Sequence, residues 1–317
     1  MKILHVTNIW PVGESFRGIF VKEQVEALRR IGVECDVDIV AQQHGKADYF
    51  LAAQRIGRRS AGYDLVHVHY GMTGLAARTV KKPKVLSLYG SDVNIPWQRR
   101  MTKLGMRGVA ARIYVSENLR VNAGDDDGHV VADGVDYTLF KPTPKEPTEE
   151  KVVLFGGAPD NWVKGYDVFT DVLAELRSRG VNVKELILAD PTCPRSEVPR
   201  KFDAADVLLF TSRKGSEGSP SVIKEAAAMN LPVVSVNVGD AAKLLSAITP
   251  SEVVDFPEPW GTDDTRAKLI RLLADRTADV LAAGTRSNGR EACRWLDNDE
   301  VARRIVEVYR QVLGHND

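Results

Sequence analysis

Two glutamates that flank a short turn are the residues with the clearest capacity for chemistry. They lie in the segment SEGSPSVIKEAAAMNLPVV, which runs from Ser216 to Val234. The Gly-Ser-Pro sequence predicts a turn that begins a helix, with Glu217 in the loop and Glu225 inside the helix. The N-terminus of a helix attracts phosphate, and a carboxylate accepts hydrogen bonds from two hydroxyl groups at once. A nucleoside diphosphate that carries a sugar would use both features, because its ribose supplies a diol. Two ordinary surface glutamates are the alternative.

The residues around the two glutamates are typical of a helix start and a helix end. Gly218 lets a ligand come close to the backbone. Ser219 is the expected N-cap, and Pro220 is the expected first helical residue, where its missing N–H costs nothing. At the other end, Asn230 suits the left-handed position after a helix, and Pro232 prevents the helix from continuing.

Short apolar runs alternate with amphipathic stretches along the chain, as expected for parallel strands joined by helices. In the first half KILHVTN, DLVHVHY and PKVLSLYG predict strands, and FVKEQVEALRRIG predicts a helix. A proline-rich linker, KPTPKEPTEEK, follows, and the alternation restarts with KVVLFGG. We therefore expect an α/β fold of two Rossmann-like, doubly wound domains, residues 1–146 and 147–298, that face each other across a cleft. The amphipathic segment 299–317 is expected to pack back on the first domain.

Composition limits the classes of partner and compartment. The chain has 317 residues, with 43 Lys and Arg residues against 43 Asp and Glu residues, so its charge predicts no nucleic-acid partner. Its three cysteines are far apart, which disfavours a disulfide scaffold or a zinc site and favours a reducing compartment. The start of the chain predicts a strand and no signal peptide, and no apolar run is long enough to span a membrane. We expect a cytoplasmic protein, with a peripheral position on the inner membrane face as a second option.

One segment of the chain is strongly basic. Between Arg78 and Arg120 there are ten basic residues and only two acidic ones, Asp92 and Glu117. Such a segment attracts an anionic membrane surface or a phosphorylated acceptor. A solvated surface without a partner is the alternative.

The segment from Glu217 to Val234 resembles the E-x7-E block of retaining, family-4 type glycosyltransferases (glycosyl transferases group 1) with the GT-B fold. It matches that pattern at Glu217, Gly218, Pro220, Glu225, Ala226, Ala228, Pro232, Val233 and Val234. Further segments across the chain look like other blocks of the family: RGIFVKEQVEALRRIGVECDV, DLVHVHYG, LSLYGSDVN, ADGVDYTLFKP and LFGGAPDNWVKG. The resemblance implies that the first domain binds the acceptor and the second binds the donor.

The resemblance also implies an activity and a set of site residues. A sugar would move from a nucleoside-diphosphate sugar, most simply a UDP- or GDP-sugar, to a hydroxyl of a glycan, a lipid-linked acceptor or a small molecule. Lys164 would neutralise the diphosphate, and Glu217 would orient the sugar, with covalent attack by Glu217 as the minor alternative. Donor contacts are implied for Gly18, Lys164, Gly218, Ser219, Pro220, Ser221 and Glu225, and sugar or acceptor contacts for His69, Tyr89 and Asp92.

The chain departs from the family pattern at several positions, two of which bear on these site residues. Tyr89 stands where the family has a histidine. Val163 precedes Lys164, although an arginine is frequent in that loop, and Arg213 or Lys214 could substitute for it. No Asp-x-Asp motif lies at a strand end, so we expect activity without a divalent metal and no cofactor besides the nucleotide sugar.

Two other functions fit a two-domain cleft of this kind. One is a different enzyme on the same fold, such as a nucleotide-sugar 2-epimerase or a phosphorylase. The other is a protein that binds a nucleotide sugar without catalysis, for which Tyr89 and the missing arginine are the arguments. The E-x7-E block together with the Lys-Gly loop favours the transferase.

Overall fold

The computed structural model describes residues 1–13, 18–41, 45, 47–146, 148–189 and 193–314. The chain forms two compact units, residues 1–134 with 296–317, and residues 135–295. The first unit therefore ends before the boundary that we expected between residues 146 and 147. The reason is that the following segment packs into the second unit. The Tyr137 hydroxyl donates to the backbone oxygen of Cys293 at 2.8 Å, and the buried Phe140 ring contacts Phe202 edge to face.

The first unit is built from alternating strands and helices, which we number in chain order. Its strands are β1 (Lys2–Thr7), β2 (Glu34–Ile39), β3 (Leu65–His69), β4 (Lys84–Leu88), β5 (Ala111–Tyr114) and β6 (His129–Val130). Its helices are α1 (Ile19–Arg30), α2 (Asp48–Arg59), α3 (Ser91–Asn94), α4 (Pro96–Gly105), α5 (Glu117–Ala123) and, at the end of the chain, α12 (Asn298–Leu313).

Within the described part of this unit, one parallel sheet has the strand order β2-β1-β3-β4-β5-β6. β1 pairs with β2 on one side and with β3 on the other, so that Val6 lies opposite both Asp38 and Val68. The chain changes direction across the sheet between β1 and β3. In doubly wound sheets, ligands bind at the carboxyl ends of the strands beside such a point.

Helices cover both faces of the first sheet. Successive residues of a strand point to opposite faces, and β1 follows this rule. Ile3 joins a buried cluster with Leu28 of α1 and Ile305 of α12. Leu4 joins a second cluster, with Ile56 of α2. The terminal helix α12 thus belongs to the core of the first unit.

The second unit repeats the same kind of architecture. Its strands are β7 (Lys151–Phe155), β8 (Val183–Ile187), β9 (Val207–Phe210), β10 (Val233–Val236) and β11 (Glu252–Val254). Its helices are α6 (Tyr166–Ser178), α7 (Val198–Ala204), α8 (Ser221–Ala228), α9 (Ala241–Leu245), α10 (Asp263–Ala283) and α11 (Gly289–Ala292). The strands that the structure describes here form a parallel sheet in the order β11-β10-β9-β7-β8.

Some elements differ from the sequence-based expectation. The late helix, expected over residues 265–276, extends over Asp263–Ala283, because Thr262 caps its start and the left-handed Gly284 ends it. β11 was not predicted, because three residues carry too little pattern to separate a strand from a loop. The strand expected over VKELILAD ends at Ile187, and the last residue of that segment, Asp190, lies outside the described residues.

The helices were also compared with the dimensions of a bilayer. Of the helices within the described ranges, none combines the length and the apolar composition that crossing a membrane requires.

Candidate active site

The carboxyl ends of β7 and β9 bring together the two residues that were expected to be catalytic. Lys164 ends a short 3-10 turn after β7, and Glu217 lies in the loop after β9. Nζ of Lys164 lies 2.8 Å from Oε1 of Glu217, and the Ser212 hydroxyl donates to the same oxygen at 2.8 Å. The two charged side chains are 26% and 14% exposed, so the pair is shielded but reachable from solvent. Parallel strands placed side by side are what join residues so distant in sequence.

Glycines leave the space that the lysine loop occupies. A Cβ on Gly157 would lie 2.6 Å from Cγ of Lys164, so the lysine side chain fits only over a glycine. Gly165 has a left-handed backbone (φ +68°), and a Cβ there would lie 2.1 Å from the backbone oxygen of Thr211. The Thr211 hydroxyl in turn contacts the backbone oxygens of Lys164 and Gly165, at 3.1 and 3.0 Å. Close packing thus fixes the direction of the lysine.

The turn before α8 differs in one detail from the expected N-cap. The residue at the cap position is Pro220, and the Ser219 hydroxyl instead donates to Oδ2 of Asp240 at 2.8 Å. Backbone of the same turn packs on the loop after β10, since a Cβ on Gly239 would lie 2.7 Å from the backbone oxygen of Gly218. Two contacts therefore fix the turn that leads into the helix. The positive end of the helix dipole lies at this turn.

The second glutamate of the motif is buried and paired. α8 begins at Ser221, and Glu225 follows in its second turn with 7% of its surface exposed. Oε1 of Glu225 lies 2.8 Å from a guanidinium nitrogen of Arg195. At the end of α8, Asn230 takes the left-handed conformation expected of it (φ 53°). Sequence reasoning missed Arg195, because no pattern in the chain links it to the motif.

The two basic residues named as substitutes for the missing arginine are engaged elsewhere. The Arg213 guanidinium donates to Oδ1 of Asp167 at 2.6 Å and stacks on the ring of Trp162. The Lys214 ammonium pairs with Glu258. Lys164 is therefore the lysine that the structure places against Glu217.

In the first unit, the Asp92 carboxylate supports the loop after β4. It is buried and accepts hydrogen bonds from the backbone N–H groups of Tyr89 at 3.1 Å, Gly90 at 2.8 Å and Gly71 at 3.4 Å. Burial raises the pKa of this carboxyl, and the backbone N–H groups oppose that shift. All of these contacts organise backbone, as a capping carboxylate does, and the sugar or acceptor contact expected of Asp92 stays a prediction.

His69 and Tyr89 are hydrogen-bonded to each other. Nδ1 of His69 lies 2.6 Å from the Tyr89 hydroxyl, and Nε2 lies 3.0 Å from Nδ1 of His5. His67 stacks on His69 and contacts the hydroxyl of Tyr309 at 2.6 Å. Burial lowers the pKa of His69 to about 3 and also lowers the pKa values of the other two histidines. The hydroxyl of Tyr89 thus faces a core of neutral imidazoles.

These three histidines have the residue type of a metal site, but most of their ring nitrogens already contact other side chains. One ring nitrogen from each lies within 4.8 Å of the others. A metal–nitrogen bond of about 2.0–2.1 Å requires ligand nitrogens about 3.3 Å apart in a tetrahedral site. Both ring nitrogens of His67 and of His69 already contact another side chain. The cluster fits a hydrogen-bonded network of neutral rings better than a set of metal ligands.

Gly18 is the first of the residues that the family resemblance implies as donor contacts. Its backbone is left-handed (φ 78°), it precedes the first residue of α1, and a Cβ there would lie 2.8 Å from the carbonyl carbon of Ile9. The start of α1 therefore approaches the end of β1 closely, as a turn for a bound anion requires. Arg17, the first residue of the expected motif, lies outside the described residues.

Comparison with known proteins finds a family that the second half of the chain resembles. Residues 150–275, which contain Lys164, Glu217 and Glu225, match the family model described as "Glycosyl transferases group 1". A D-inositol 3-phosphate glycosyltransferase of Xylanimonas cellulosilytica is 28% identical over an alignment 316 residues long. The alignment covers 80% of this chain and 73% of that protein. Residues 150–275 of the chain are thus similar to glycosyltransferases of the group 1 type.

Solved structures with the same arrangement of strands and helices show the fold of the chain. A sucrose-phosphate synthase from Thermosynechococcus elongatus superposes with a TM-score of 0.74 at 17% identity, over 100% of both chains. Anabaena HepE in complex with UDP-glucose superposes with a TM-score of 0.67 at 18% identity, over 98% of this chain and 100% of that one. These likenesses confirm the expected GT-B fold of two parallel-sheet α/β domains. The roles of the individual site residues stay predictions.

Proposed function

We propose that this protein is a glycosyltransferase that moves a sugar, with retention of its anomeric configuration, from a nucleoside-diphosphate sugar to a hydroxyl acceptor. The contact between Lys164 and Glu217 carries the proposal, because it places a cation and an anion beside the start of α8. A diphosphate needs the cation and the helix dipole, and a sugar needs the carboxylate. Anabaena HepE, a structural neighbour, binds UDP-glucose, which supports a UDP-sugar as the first donor to test.

Lys164 would serve the leaving group. Negative charge grows on the diphosphate as the bond to the sugar breaks, and an ammonium held in place stabilises that charge more in the transition state than in the ground state. Thr211 and Gly165 hold the loop of this lysine, so little reorganisation is needed during the reaction. With the cation supplied by Lys164, we propose that no divalent metal is required.

Glu217 would serve the sugar. Its carboxylate already accepts from Lys164 and from the Ser212 hydroxyl, and a carboxylate has about four acceptor positions, so capacity for sugar hydroxyls remains. A carboxylate engaged by an ammonium is a weaker nucleophile than a free one. We therefore favour an orienting role, with the acceptor hydroxyl attacking from the face that the diphosphate leaves and passing its proton to a diphosphate oxygen.

The stereochemistry of the product tests the proposal. UDP- and GDP-sugars should be incubated with a panel of hydroxyl acceptors, beginning with inositol phosphates because the Xylanimonas relative is named for one. The anomeric coupling constant in the proton NMR spectrum of the new glycoside should match that of the donor sugar. A product of the opposite configuration would overturn retention. Conversion of the donor without an acceptor into a sugar epimer would favour the epimerase alternative.

Metal independence needs its own measurement. The initial rate with excess EDTA should equal the rate without chelator, and magnesium or manganese should not raise it. A rate that EDTA abolishes and magnesium restores would refute this part of the proposal.

We also propose that the first unit lies against an anionic membrane. Trp97, Arg100 and Leu104 lie at helical spacing along α4, and the side chains of Trp97 and Leu104 are 57% and 45% exposed. Lys103 and Arg107 are exposed on the same segment. Apolar and basic side chains together are typical of helices that bind at the lipid surface.

The basic surface is smaller than the sequence suggested. Arg112 pairs with Asp125, and Arg120 pairs with Glu117. Lys84 is buried, and its burial lowers the pKa of its ammonium. These three residues add little to the exposed positive charge of the segment. The exposed positive charge is therefore centred on α4.

Vesicle sedimentation tests membrane association. The protein should bind phosphatidylcholine vesicles that contain phosphatidylglycerol, bind pure phosphatidylcholine poorly, and detach as salt increases. Arg100→Glu and Trp97→Ser should each weaken binding. Phe50→Ser is the matched control, since Phe50 on α2 is 54% exposed. Binding that ignores lipid charge and salt would exclude this surface.

A further inference from the structure

The buried carboxylate of Glu225 is held by a cation that the family motif does not include. Glu225 lies in the second turn of α8 with 7% of its surface exposed, and its Oε1 lies 2.8 Å from a guanidinium nitrogen of Arg195. A buried carboxylate is stable only when paired, and Arg195 supplies the partner and limits the rotation of the Glu225 side chain. The ion pair occupies one acceptor position of the several that a carboxylate offers.

Arg195 is itself held in place by an aromatic ring. The carbon at the centre of its guanidinium lies 4.6 Å from the centre of the Phe140 ring, and Arg195 is 19% exposed. Phe140 is fully buried and packs edge to face on Phe202 of α7. A planar guanidinium stacked on an aromatic ring has less freedom than a lysine would have at the same place.

A second arginine ties this ring to α8. Arg290 donates to the backbone oxygen of Phe140 and, at 3.0 Å, to that of Ala228, the last residue of α8. It also donates to the backbone oxygen of Tyr137 at 2.8 Å and stacks on the Tyr137 ring. Phe140 and the helix that carries Glu225 are thus fixed relative to each other. Arg195 packs on the Phe140 ring and is therefore held in place relative to α8 as well.

We infer that Arg195 is a specificity-determining residue that presents the Glu225 carboxylate to the ribose hydroxyls of the donor. The inference rests on the proposed function, in which the protein binds a nucleoside-diphosphate sugar, and on the sequence-based expectation that Glu225 contacts the ribose. A carboxylate that is already oriented and charged accepts hydrogen bonds from the 2′- and 3′-hydroxyls without first being ordered. A donor without the 2′-hydroxyl leaves an acceptor of this buried, charged group unpaired. The protein therefore selects ribonucleotides against 2′-deoxyribonucleotides, and Arg195 sets how strongly.

The test measures nucleotide binding by titration calorimetry. UDP, GDP and ADP are each compared with their 2′-deoxy forms, and the tightest pair is used for all variants. The wild type should prefer the ribonucleotide by about 10- to 100-fold, the effect of losing one hydrogen bond to a charged group. Arg195→Met keeps an apolar side chain on Phe140 and removes the charge. It should weaken ribonucleotide binding about 10-fold and bring the preference close to 1.

Four further variants separate a specific effect from a general loss of structure. Glu225→Gln should lose the same preference, and the double variant with Arg195→Met should lose no more, because the two residues act as one unit. Arg195→Lys keeps the charge without the planar stack and should keep part of the preference. Arg200→Met is the matched control, because Arg200 is 80% exposed and pairs with Glu197. It should bind both nucleotides as the wild type does.

The outcomes distinguish this inference from the proposed function. A wild type that binds none of the three nucleotides overturns the proposed donor class, and the role of Arg195 with it. A wild type that prefers ribonucleotides, together with an Arg195→Met variant that keeps the preference, overturns the role of Arg195 alone. Tighter ribonucleotide binding by Arg195→Met also overturns it, because the arginine would then compete with the ribose for Glu225. Circular dichroism of each variant checks that the fold is retained.

Discussion

The ammonium of Lys164 lies 2.8 Å from the carboxylate of Glu217, and this ion pair joins two loops that follow different strands of one sheet. Each partner has a further constraint: the lysine loop is fixed by Thr211, and the Glu217 carboxylate accepts from Ser212. The fold thus holds the two side chains in contact. Under the proposed function, Lys164 meets the diphosphate of the donor and Glu217 meets its sugar.

Removal of either member of this pair should reduce transfer far more than it reduces stability. Lys164→Met should lower kcat by about 100- to 1000-fold, the usual effect of removing one preorganised group that stabilises charge in the transition state. Glu217→Gln should lower kcat to a similar degree. Because both groups are partly exposed, the melting temperature should change little. Initial rates at saturating donor and a thermal melt of each variant give both quantities.

A matched lysine in the neighbouring loop provides the control. Lys214 pairs with Glu258, and both side chains are well exposed. Lys214→Met should keep the wild-type rate. Equal losses in Lys164→Met and Lys214→Met would mean that general positive charge, and not the position of Lys164, supports the reaction. Wild-type activity in Glu217→Gln would remove Glu217 from the site.

The three buried histidines should make the first unit sensitive to acid. Burial lowers the pKa of His5, His67 and His69, to about 3 for His69, whereas an unfolded histidine has a pKa of about 6.5. Between these values the unfolded state binds more protons than the folded state, so stability falls as the pH falls below about 6.5. Each histidine that stays neutral in the fold contributes a loss of about 1.4 kcal/mol per pH unit there. Thermal melts between pH 7.5 and 5 measure the slope.

One substitution tests which residues cause that slope. His5→Asn places an amide near the position of Nδ1, which contacts His69, and removes one titrating ring. The variant should melt at a lower temperature than the wild type at pH 7.5, yet lose less stability per pH unit below 6.5. A slope as steep as that of the wild type would show that groups outside the cluster control the acid sensitivity.

Asp92 should prove to be a residue of stability more than of catalysis. Its buried carboxylate accepts from the backbone N–H groups of Tyr89 and Gly90. Asp92→Ala leaves these donors buried without a partner and should destabilise the protein by about 2–4 kcal/mol. Asp92→Asn keeps one acceptor oxygen and should be less destabilising. Denaturant unfolding measures both, and a stable Asp92→Asn variant that has lost its kcat would instead support the sugar contact.

Local patterns account for the parts of the fold that the sequence predicted. The alternation of apolar runs and amphipathic stretches predicted the strands and helices of both sheets. Strand and helix periodicities can be recognised within short segments of sequence, so this part needed no information on long-range contacts. The boundary between the two units lies earlier in the chain than the sequence predicts. A proline-rich segment is typical of a linker, and this pattern led to the later boundary. Tyr137 and Phe140, which precede it, pack into the second unit through contacts with Cys293 and Phe202 that no local pattern shows.

The same distinction holds within the candidate site. Lys164 and Glu217 were named from their motifs, and the structure places them in contact. The partner of Ser219, which is Asp240, and the partner of Glu225, which is Arg195, were not foreseen. A motif records residue types along one segment, whereas a side-chain partner depends on which loops the sheet brings together.

Two glycines with the same backbone conformation should respond differently to an added methyl group. Gly165 and Gly180 have φ angles of +68° and +80°, so alanine is strained at both, by about 1–2 kcal/mol. At Gly180 the methyl group meets nothing within 4 Å, whereas at Gly165 it would lie 2.1 Å from the backbone oxygen of Thr211. Gly165→Ala must therefore displace Thr211, whose hydroxyl holds the backbone of Lys164.

The expected result is a loss of activity that backbone strain alone does not explain. Gly180→Ala should lower the melting temperature slightly and keep the wild-type kcat. Gly165→Ala should be less stable than Gly180→Ala and, at a temperature where both are folded, should transfer sugar at least about 10-fold more slowly, because a shift of about 1 Å in a catalytic group has effects of this size or larger. Equal rates in the two variants would mean that the exact position of the lysine loop does not limit the reaction.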